Sequence, residues 1–250
     1  MIMRRPLPRA FGFDVFGTVV DWRGGVIRDV ARFLADMGRG DIDPAEFADA
    51  WRMRYLAAMA AYAASARGFV TLDILHHEML EDTLRRFGLD PASLDPQAVS
   101  DLNRAWHRLD PWPDAVAGIA RLKTRYPVVT LSNGNIAMML NMARRSSLPW
   151  DALLGAEVSR AYKPDPEAYL CTAEILGLAP QDLCLVSSHH ADLAAARACG
   201  LATAFIARPL EFGGAPAPDA SAAQDWDWSC NGIDELADII GGPSAPDPEC

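Results

Sequence analysis

The feature that most constrains this fold is a single buried strand followed by a long helical stretch before any second strand. Residues Arg9–Val20 read as an apolar strand that runs into a turn, with Phe11 and Phe13 in the strand and Gly17 in the turn. From Trp22 to Asp110 the apolar residues instead recur at helical spacing. The pattern therefore predicts a sheet domain that is interrupted after its first strand by a helical insertion.

Four helices are predicted within this insertion: Val26–Met37, Pro44–Ala66, Leu72–Phe87 and Pro96–Arg108. Pro44 and Pro96 each follow an aspartate that suits a helix N-cap, and Gly38 and Gly88 suit helix ends. No strand pattern interrupts the four segments, which favours an all-helical cap.

Beyond Pro113 strands and helices alternate. The predicted strands are Pro127–Leu131, Leu183–Val186 and Thr203–Ala207, and the predicted helices are one ending near Arg145, then Pro166–Leu176 and Asp192–Cys199. A further short strand and helix are expected within 226–240. Continuous apolar strands that alternate with helices are typical of a parallel sheet covered on both faces. We therefore predict an α/β core domain from 1–21 and 111–250, with 22–110 as a helical cap domain.

The charge balance argues against two classes of partner. Lys and Arg total 23 against 33 Asp and Glu, which gives a net charge of -10 and repels both nucleic acid and anionic membranes. No apolar run reaches the roughly 18 residues of a membrane span, and the N-terminal MIMRRPLPRAF has no apolar stretch typical of a signal peptide. The five cysteines include no C-x-x-C pair, which favours reduced thiols and a cytoplasmic location.

Polar residues follow three of the predicted strands, where parallel sheets bind ligands. Asp14 follows the first strand, Ser132-Asn133 the second, and Ser187-Ser188-His189 the third, while Lys163 stands among prolines before a helix. By itself Asp14 is either a turn aspartate before Gly17 or a carboxylate that forms a covalent ester. The cap, leaving just after the first strand, is expected to cover this crevice.

The order of four motifs resembles the haloacid dehalogenase superfamily. These motifs are Phe13–Thr18, Leu131–Gly134, Tyr162–Pro166 and Val186–Asp192. The resemblance covers nearly the whole chain, from Phe11 to about Ile240. It implies a Rossmann-like parallel sheet with helices on both faces and an inserted helical cap, the haloacid dehalogenase-like fold.

Two positions depart from the phosphatases of that superfamily. The second acid of their Asp-x-Asp motif protonates the leaving alcohol, and Phe16 stands in its place. Ser188 replaces the first of their magnesium-binding acids, which leaves Asp192 alone. The chain is more similar to the L-2-haloacid dehalogenases (type II), which have an aromatic residue at the Phe16 position, and this resemblance implies no metal and no other cofactor.

The resemblance also implies roles for individual residues. Asp14 is the expected nucleophile, Lys163 holds it ionised, and Ser187 and Asp192 orient Lys163 and the hydrolytic water. The expected binding residues for the halide and the substrate carboxylate are Phe16, Arg52, Ser132, Asn133, Tyr169 and His190. For Arg52 the alternative is a solvated helix charge, for Tyr169 it is helix packing, and for Asp192 it is a helix N-cap.

The fourth motif departs from the family pattern Ser-Ser-Asn-Ala-Trp-Asp. His189 replaces the asparagine, and His190 replaces the tryptophan. A histidine with a pKa near roughly 6.5 suits a general base at neutral pH, so His189 is the expected base for ester hydrolysis. Asp192 and Lys163 stay open as alternatives for this role.

The expected reaction is hydrolytic removal of halogen from a short 2-haloalkanoic acid. Asp14 forms a covalent ester, and the products are a 2-hydroxy acid and halide. Three alternatives stay open: a related hydrolase of another small 2-substituted acid, a magnesium-dependent phosphatase, and a binding protein without activity. The sequence leaves open the halogen (fluoroacetate included), the chain length, the chirality and the oligomeric state. Relatives in the family are often dimers, and Tyr55–Ala66 suits either a homodimer surface or the internal core.

Overall fold

The computed structural model describes residues 6–215, 217 and 219–241. Of the predicted core domain, residues 1–5, 216, 218 and 242–250 lie outside this part of the chain, and Cys250 is among them. No helix in the described ranges is long and apolar enough to cross a membrane.

The centre of the molecule is a parallel sheet of six strands. In chain order the described strands are β1 (Ala10–Phe13), β2 (Val20–Asp21), β3 (Asp110–Pro111), β4 (Val128–Ser132), β5 (Ala152–Gly155), β6 (Leu183–Ser187), β7 (Ala202–Ile206) and β8 (Trp228–Cys230). The large sheet has the order β5-β4-β1-β6-β7-β8, and every neighbouring pair in it is parallel. Because β4 and β6 flank β1, the three motif-bearing strand ends meet at one edge of the sheet.

Both faces of the sheet are buried, as its continuous apolar strands predict. Phe11 and Phe13 of β1 pack into one hydrophobic cluster, whereas Leu183 and Leu185 of β6 pack into another, with Tyr169. Helices cover each face. The predicted fold class is therefore confirmed: a mostly parallel, Rossmann-like sheet with helices on both sides.

Ten α-helices occur in the described ranges. Four lie between β2 and β3: α1 (Trp22–Asp36), α2 (Pro44–Ala64), α3 (Leu72–Arg86) and α4 (Pro96–Asn103). The other six are α5 (Ala115–Lys123), α6 (Ile136–Ser146), α7 (Ala156–Ser159), α8 (Pro166–Ile175), α9 (His190–Ala198) and α10 (Ile233–Gly241). The carboxylates of Asp43 and Asp95 cap α2 and α4 by accepting from the N–H groups of Ala45 and Gln97, as predicted. The sequence did not predict α5, β5 or α7.

A short antiparallel pair joins the helical insertion to the sheet. In this pair Val20 of β2 lies opposite Pro111 of β3, so the chain enters and leaves the insertion at the same place. Inside the insertion the rings of Trp22 and Trp106 stack, with 6.2 Å between their centres, and the ring of Trp51 meets Trp106 edge-on at 5.5 Å. This aromatic cluster lies over the end of β1.

The sequence left open whether the stretch Tyr55–Ala66 forms internal core or a homodimer surface, and its residues include examples of both burial and exposure. Tyr55 packs against the core, whereas the side chain of Leu56 is 77% exposed. A homodimer through this stretch stays a prediction.

Candidate active site

Asp14 follows β1 directly, at the centre of the sheet. Its N–H donates to the carbonyl of Val186 at 2.9 Å, so pairing with β6 fixes the backbone here. Lys163 Nζ donates to Asp14 Oδ1 at 3.1 Å, and the Thr18 hydroxyl donates to Oδ2 at 2.8 Å. His189 Nδ1 lies 3.3 Å from the same Oδ2. Both oxygens of the buried carboxylate are therefore held in place.

Lys163 links Asp14 to a second carboxylate. Its ammonium donates to Asp192 Oδ2 at 2.6 Å, and the Tyr169 hydroxyl donates to Asp192 Oδ1 at 2.8 Å. The structure thus brings together four predicted residues from three separate motifs and a helix. Asp192 lies in the first turn of α9, and its carboxylate contacts Lys163 and Tyr169.

The charges of this cluster stabilise one another. Burial alone would raise the pKa of Asp14, but Lys163, His189 and the Thr18 hydrogen bond hold that pKa well below its usual range. Burial likewise opposes the charge of Lys163, yet Asp14 and Asp192 raise the pKa of its ammonium group. At neutral pH Asp14 is therefore a carboxylate, the form in which it can act as a nucleophile.

His189 lies between two carboxylates. Its Nδ1 faces Asp14, and its Nε2 lies 3.1 Å from Oε1 of the buried Glu211. Burial works to lower the pKa of the ring, but Asp14 and Glu211 raise it to about 10. The expected role of His189 as a base does not fit this arrangement, because an imidazolium has no lone pair to accept a proton.

A cavity of about 310 Å³ opens between the end of the sheet and the helical insertion. Asp14, Lys163, Asp192 and His189 lie on its polar side. Its other walls are mainly apolar and aromatic, from Phe16, Trp51, Tyr55, Leu56, Leu72, Met79, Trp106 and Tyr169. The cavity therefore combines an ionised carboxylate with an apolar enclosure.

Arg52, on α2, brings a positive charge into the same cavity. Its guanidinium carbon lies 4.6 Å from the centre of the Tyr55 ring and 5.6 Å from that of Trp22. Within the described ranges no carboxylate lies within ion-pair distance of this guanidinium, in contrast to Arg54, whose guanidinium lies 3.6 Å from Asp82. A cation held between rings and left without a protein anion is suited to bind an anionic ligand.

Asn133 lies at the end of β4 and also lines the cavity. Its Oδ1 accepts a hydrogen bond from the backbone N–H of Lys163 at 2.8 Å, and its Nδ2 donates to the Tyr55 hydroxyl at 2.7 Å. Asn133 therefore both orients the Lys163 segment and contacts the helical insertion.

Three predicted site residues do not line the cavity: Ser132, Ser187 and His190. The Ser132 hydroxyl accepts from the N–H of Gly134 at 3.1 Å, and the Ser187 hydroxyl accepts from the N–H of His189 at 3.2 Å. Both side chains are buried and shape the turns after β4 and β6. The contact between Ser187 and Lys163 that the resemblance implied is not among those in the structure.

His190 points away from the cavity. Its ring stacks on Phe205 at 4.8 Å and on Trp226 at 5.8 Å, and its Nε2 contacts the carbonyl oxygen of Ser221 at 2.8 Å. Its placement among the halide-binding residues is therefore wrong. The reason is local: His189 is the N-cap of α9 and His190 its first residue, so the two side chains leave the turn in different directions.

Phe16 and Ser188 occupy the two positions at which the sequence departs from the phosphatases of the superfamily. The Phe16 ring lines the cavity and meets Trp106 edge-on at 6.0 Å. The Ser188 hydroxyl is buried 3.0 Å from the Thr18 hydroxyl, behind Asp14. In the described ranges no group of three or more His, Cys, Asp or Glu side chains is arranged to hold a metal ion.

Sequence reasoning missed three residues of this site. Glu211 lies in the segment after β7, outside all four motifs. Thr18 belonged to the first motif, but its hydrogen bond to Asp14 was not predicted. Tyr55 was treated only as part of an apolar stretch. For Tyr55 a signal existed, because it lies three residues after Arg52 and therefore on the same face of α2.

Comparisons with known proteins agree with this architecture. The model of the haloacid dehalogenase-like hydrolases matches residues 8–200. The chain is 32% identical to (S)-2-haloacid dehalogenase 4A of Burkholderia cepacia, over 83% of this chain and 88% of that one. It is 30% identical to (S)-2-haloacid dehalogenase of Xanthobacter autotrophicus, over 80% of this chain and 75% of that one. A crystal structure of a defluorinating L-2-haloacid dehalogenase superposes with a TM-score of 0.91 at 47% identity, over 94% of this chain and 95% of that one.

The chain belongs to the haloacid dehalogenase-like hydrolases. The relatives described above are 2-haloacid dehalogenases, so the resemblance drawn from its four motifs is confirmed. The prediction that it is a hydrolytic enzyme is confirmed with it.

Proposed function

We propose that this protein is a dehalogenase of short 2-haloalkanoic acids that works through a covalent ester on Asp14. The observation that carries the proposal is one cavity that holds both an ionised Asp14 and an Arg52 that has no carboxylate partner in the described part of the chain. A carboxylate nucleophile needs a leaving group that departs without a proton, and a halide does so. Arg52 and the amide of Asn133 supply the positive charge and the donor that stabilise the departing anion.

The first half-reaction is a displacement at carbon. An Asp14 oxygen attacks C2 of the substrate, the carbon–halogen bond breaks, and the halide takes the bonding electron pair toward Arg52. The apolar walls exclude water and strengthen these charge interactions. The centre at C2 is inverted, so an (S)-2-chloro acid, the class after which the relatives are named, gives an (R)-2-hydroxy acid.

The second half-reaction hydrolyses the ester. Water attacks the carboxyl carbon of Asp14, and one of its protons passes to Asp192, the remaining carboxylate on the polar side of the cavity. Lys163 contacts both carboxylates and keeps them oriented through the cycle. Hydrolysis releases the 2-hydroxy acid and restores Asp14.

The proposed chemistry uses neither metal nor other cofactor. Phe16 offers no proton to a leaving alcohol, and Ser188 supplies a neutral hydroxyl where a magnesium site needs an anionic oxygen. The solved structure that superposes with a TM-score of 0.91 is that of a defluorinating L-2-haloacid dehalogenase. Fluoroacetate is therefore included with chloroacetate and both enantiomers of 2-chloropropionate as candidate substrates.

The experiment that tests this proposal measures halide release from these acids in the presence of EDTA, beside phosphate release from phosphate monoesters with Mg²⁺. Halide release with EDTA and no phosphate release is the expected result. Phosphate release alone would identify a phosphatase, and neither activity would leave the binding protein as the better reading. A single turnover in ¹⁸O-water with excess enzyme then locates the label, which is expected in Asp14 and absent from the product.

A further inference from the structure

Glu211 contacts the site from behind His189. Its side chain is buried at 2% exposure and does not line the cavity. The two oxygens of Glu211 lie 3.1 and 3.2 Å from His189 Nε2, and Trp22 Nε1 donates to Oε1 at 3.1 Å. Gly17 makes room for this carboxylate, since a Cβ there would lie 2.2 Å from Oε1. Glu211 is thus built into the fold for contact with the His189 ring.

The two carboxylates differ in what happens to them during the reaction. The charged groups in contact with His189 are Asp14, from the end of β1, and Glu211, from the segment after β7; Lys163 faces it through Asp14. Under the proposed function Asp14 becomes a neutral ester after the first half-reaction. From that moment Glu211 is, among the residues that the structure describes, the carboxylate that remains in contact with the ring.

We propose that Glu211 is a positioning residue for ester hydrolysis: it keeps His189 charged and oriented after Asp14 is esterified, so that His189 Nδ1–H stabilises the oxyanion formed on Asp14. The proposal rests on the covalent route described above. The 3.3 Å between Nδ1 and Oδ2 of Asp14 already places the donor beside the carboxyl group that becomes the oxyanion. Donors fixed in advance toward a developing oxyanion are among the largest contributions to enzymatic rates.

The bonds and charges balance in this step. The water oxygen forms a bond to the carboxyl carbon of Asp14, the carbonyl electron pair moves to its oxygen, and Nδ1–H hydrogen-bonds the resulting anion. As the anion collapses, the bond from the carboxyl carbon to the substrate oxygen breaks. One proton of the water goes to that oxygen. The other goes to Asp192, which then releases it to solvent, so His189 ends the step still protonated.

The central test is Glu211→Gln, which keeps the shape of the side chain and removes its charge. Halide release in a single turnover is expected to stay within about threefold of the unaltered enzyme, because Asp14 is still an anion in that step. Ester hydrolysis is expected to fall by about 10²–10³, the usual loss for one oxyanion donor. Intact-mass spectra should then show the acid bound to the variant.

A pH profile separates this role from a structural one. With both Asp14 and Glu211 ionised, the pKa of His189 is about 10. Once Asp14 is esterified, Glu211 is the group that still raises this pKa. The rate of ester hydrolysis is expected to fall as the pH rises and His189 loses its proton. In Glu211→Gln this alkaline fall in the rate is expected at a lower pH than in the unaltered enzyme. The double variant His189→Asn with Glu211→Gln carries an amide donor that cannot lose a proton. It should therefore recover hydrolysis relative to Glu211→Gln at pH 9 and lose the alkaline fall.

Asp114→Asn is the matched control. It removes another carboxylate partly buried near this segment, one that pairs with Arg208 at 2.8 Å and has no contact with His189. It is expected to lower stability and leave the pH of the alkaline fall unchanged. Unchanged hydrolysis and an unchanged profile in Glu211→Gln would overturn the inference, as would the same shift in Asp114→Asn. Failure of the proposed function gives a different result, since the unaltered enzyme would then release no halide or leave Asp14 unlabelled.

Discussion

The hydroxyl of Tyr55, on the insertion, accepts a 2.7 Å hydrogen bond from the side-chain amide of Asn133, at the end of β4. The other atom of that amide group accepts from the backbone N–H of Lys163. Asn133 therefore couples the position of α2, which carries Arg52, to the lysine that pairs with Asp14. The same side chain thus contacts the helix that carries Arg52 and the segment that carries Lys163.

This coupling predicts unequal effects for two conservative substitutions. Asn133→Asp still accepts from Lys163 but places a negative charge where the halide departs, so kcat/KM for chloroacetate is expected to fall by at least about 10². Tyr55→Phe removes one hydrogen bond, worth about 0.5–1.5 kcal/mol, and should cost about tenfold or less. Initial rates of chloride release check both, and a fully active Asn133→Asp would remove Asn133 from the halide site.

Arg52 offers a second prediction with a control on the same helix. Arg52→Met is expected to reduce turnover by about 10² or more, because it removes the cation that faces the departing halide. Its cost in stability is expected to stay near 1 kcal/mol, since its contacts are with the rings of Trp22 and Tyr55. Arg54→Met removes an ion pair and a backbone hydrogen bond with Asp82, neither of which lines the cavity, and should leave turnover unchanged. Equal turnover in the two variants would contradict the assignment.

Stability should depend on pH through His189. The pKa of its ring is about 10 in the folded protein and roughly 6.5 in an unfolded chain. A group whose pKa is raised by folding contributes stability that is fully present below the unfolded pKa and is lost as the pH rises through the folded one. Urea unfolding at pH 6 and pH 10.5 is therefore expected to show a larger loss for the unaltered protein than for His189→Asn. Equal losses would mean that the ring is neutral in the folded state.

The sequence predicted the sheet and most of the polar wall of the cavity because strand ends and motifs are local signals. Asp14 follows a predicted strand, which places it at the carboxyl edge of the sheet, and the family resemblance of the Lys163 motif implied a place beside Asp14. Glu211 could not be found in this way, because its partner His189 is distant in sequence and the intervening chain sets the contact. The same holds for the charge of His189, which depends on a carboxylate that no motif contains. Strand β5 was missed for another reason: it has four residues and lies at the edge of the sheet, where burial is incomplete.

Activity is expected to persist after exhaustive chelation. Phe16 and Ser188 occupy the positions where a phosphatase of this family has an acid and a metal ligand. No step of the proposed mechanism therefore needs a divalent ion. Chloroacetate turnover after dialysis against EDTA should match that of the untreated enzyme. A loss that Mg²⁺ restores would exclude the metal-independent route.

The last prediction concerns Gly17, which has a φ of +84° and lies against Glu211. In Gly17→Ala the left-handed backbone alone costs about 1–2 kcal/mol, and the new methyl group must also displace the Glu211 carboxylate from His189. Gly38 supplies the control: its φ is +66°, and nothing lies within 4 Å of a Cβ there. Gly38→Ala is therefore expected to lose about 1–2 kcal/mol of stability with unchanged turnover. Gly17→Ala should lose more stability, accumulate the ester and show its alkaline fall in hydrolysis at lower pH. If both alanine variants lose the same stability and both keep full turnover, Glu211 has moved without consequence, and its contact with His189 does not serve the reaction.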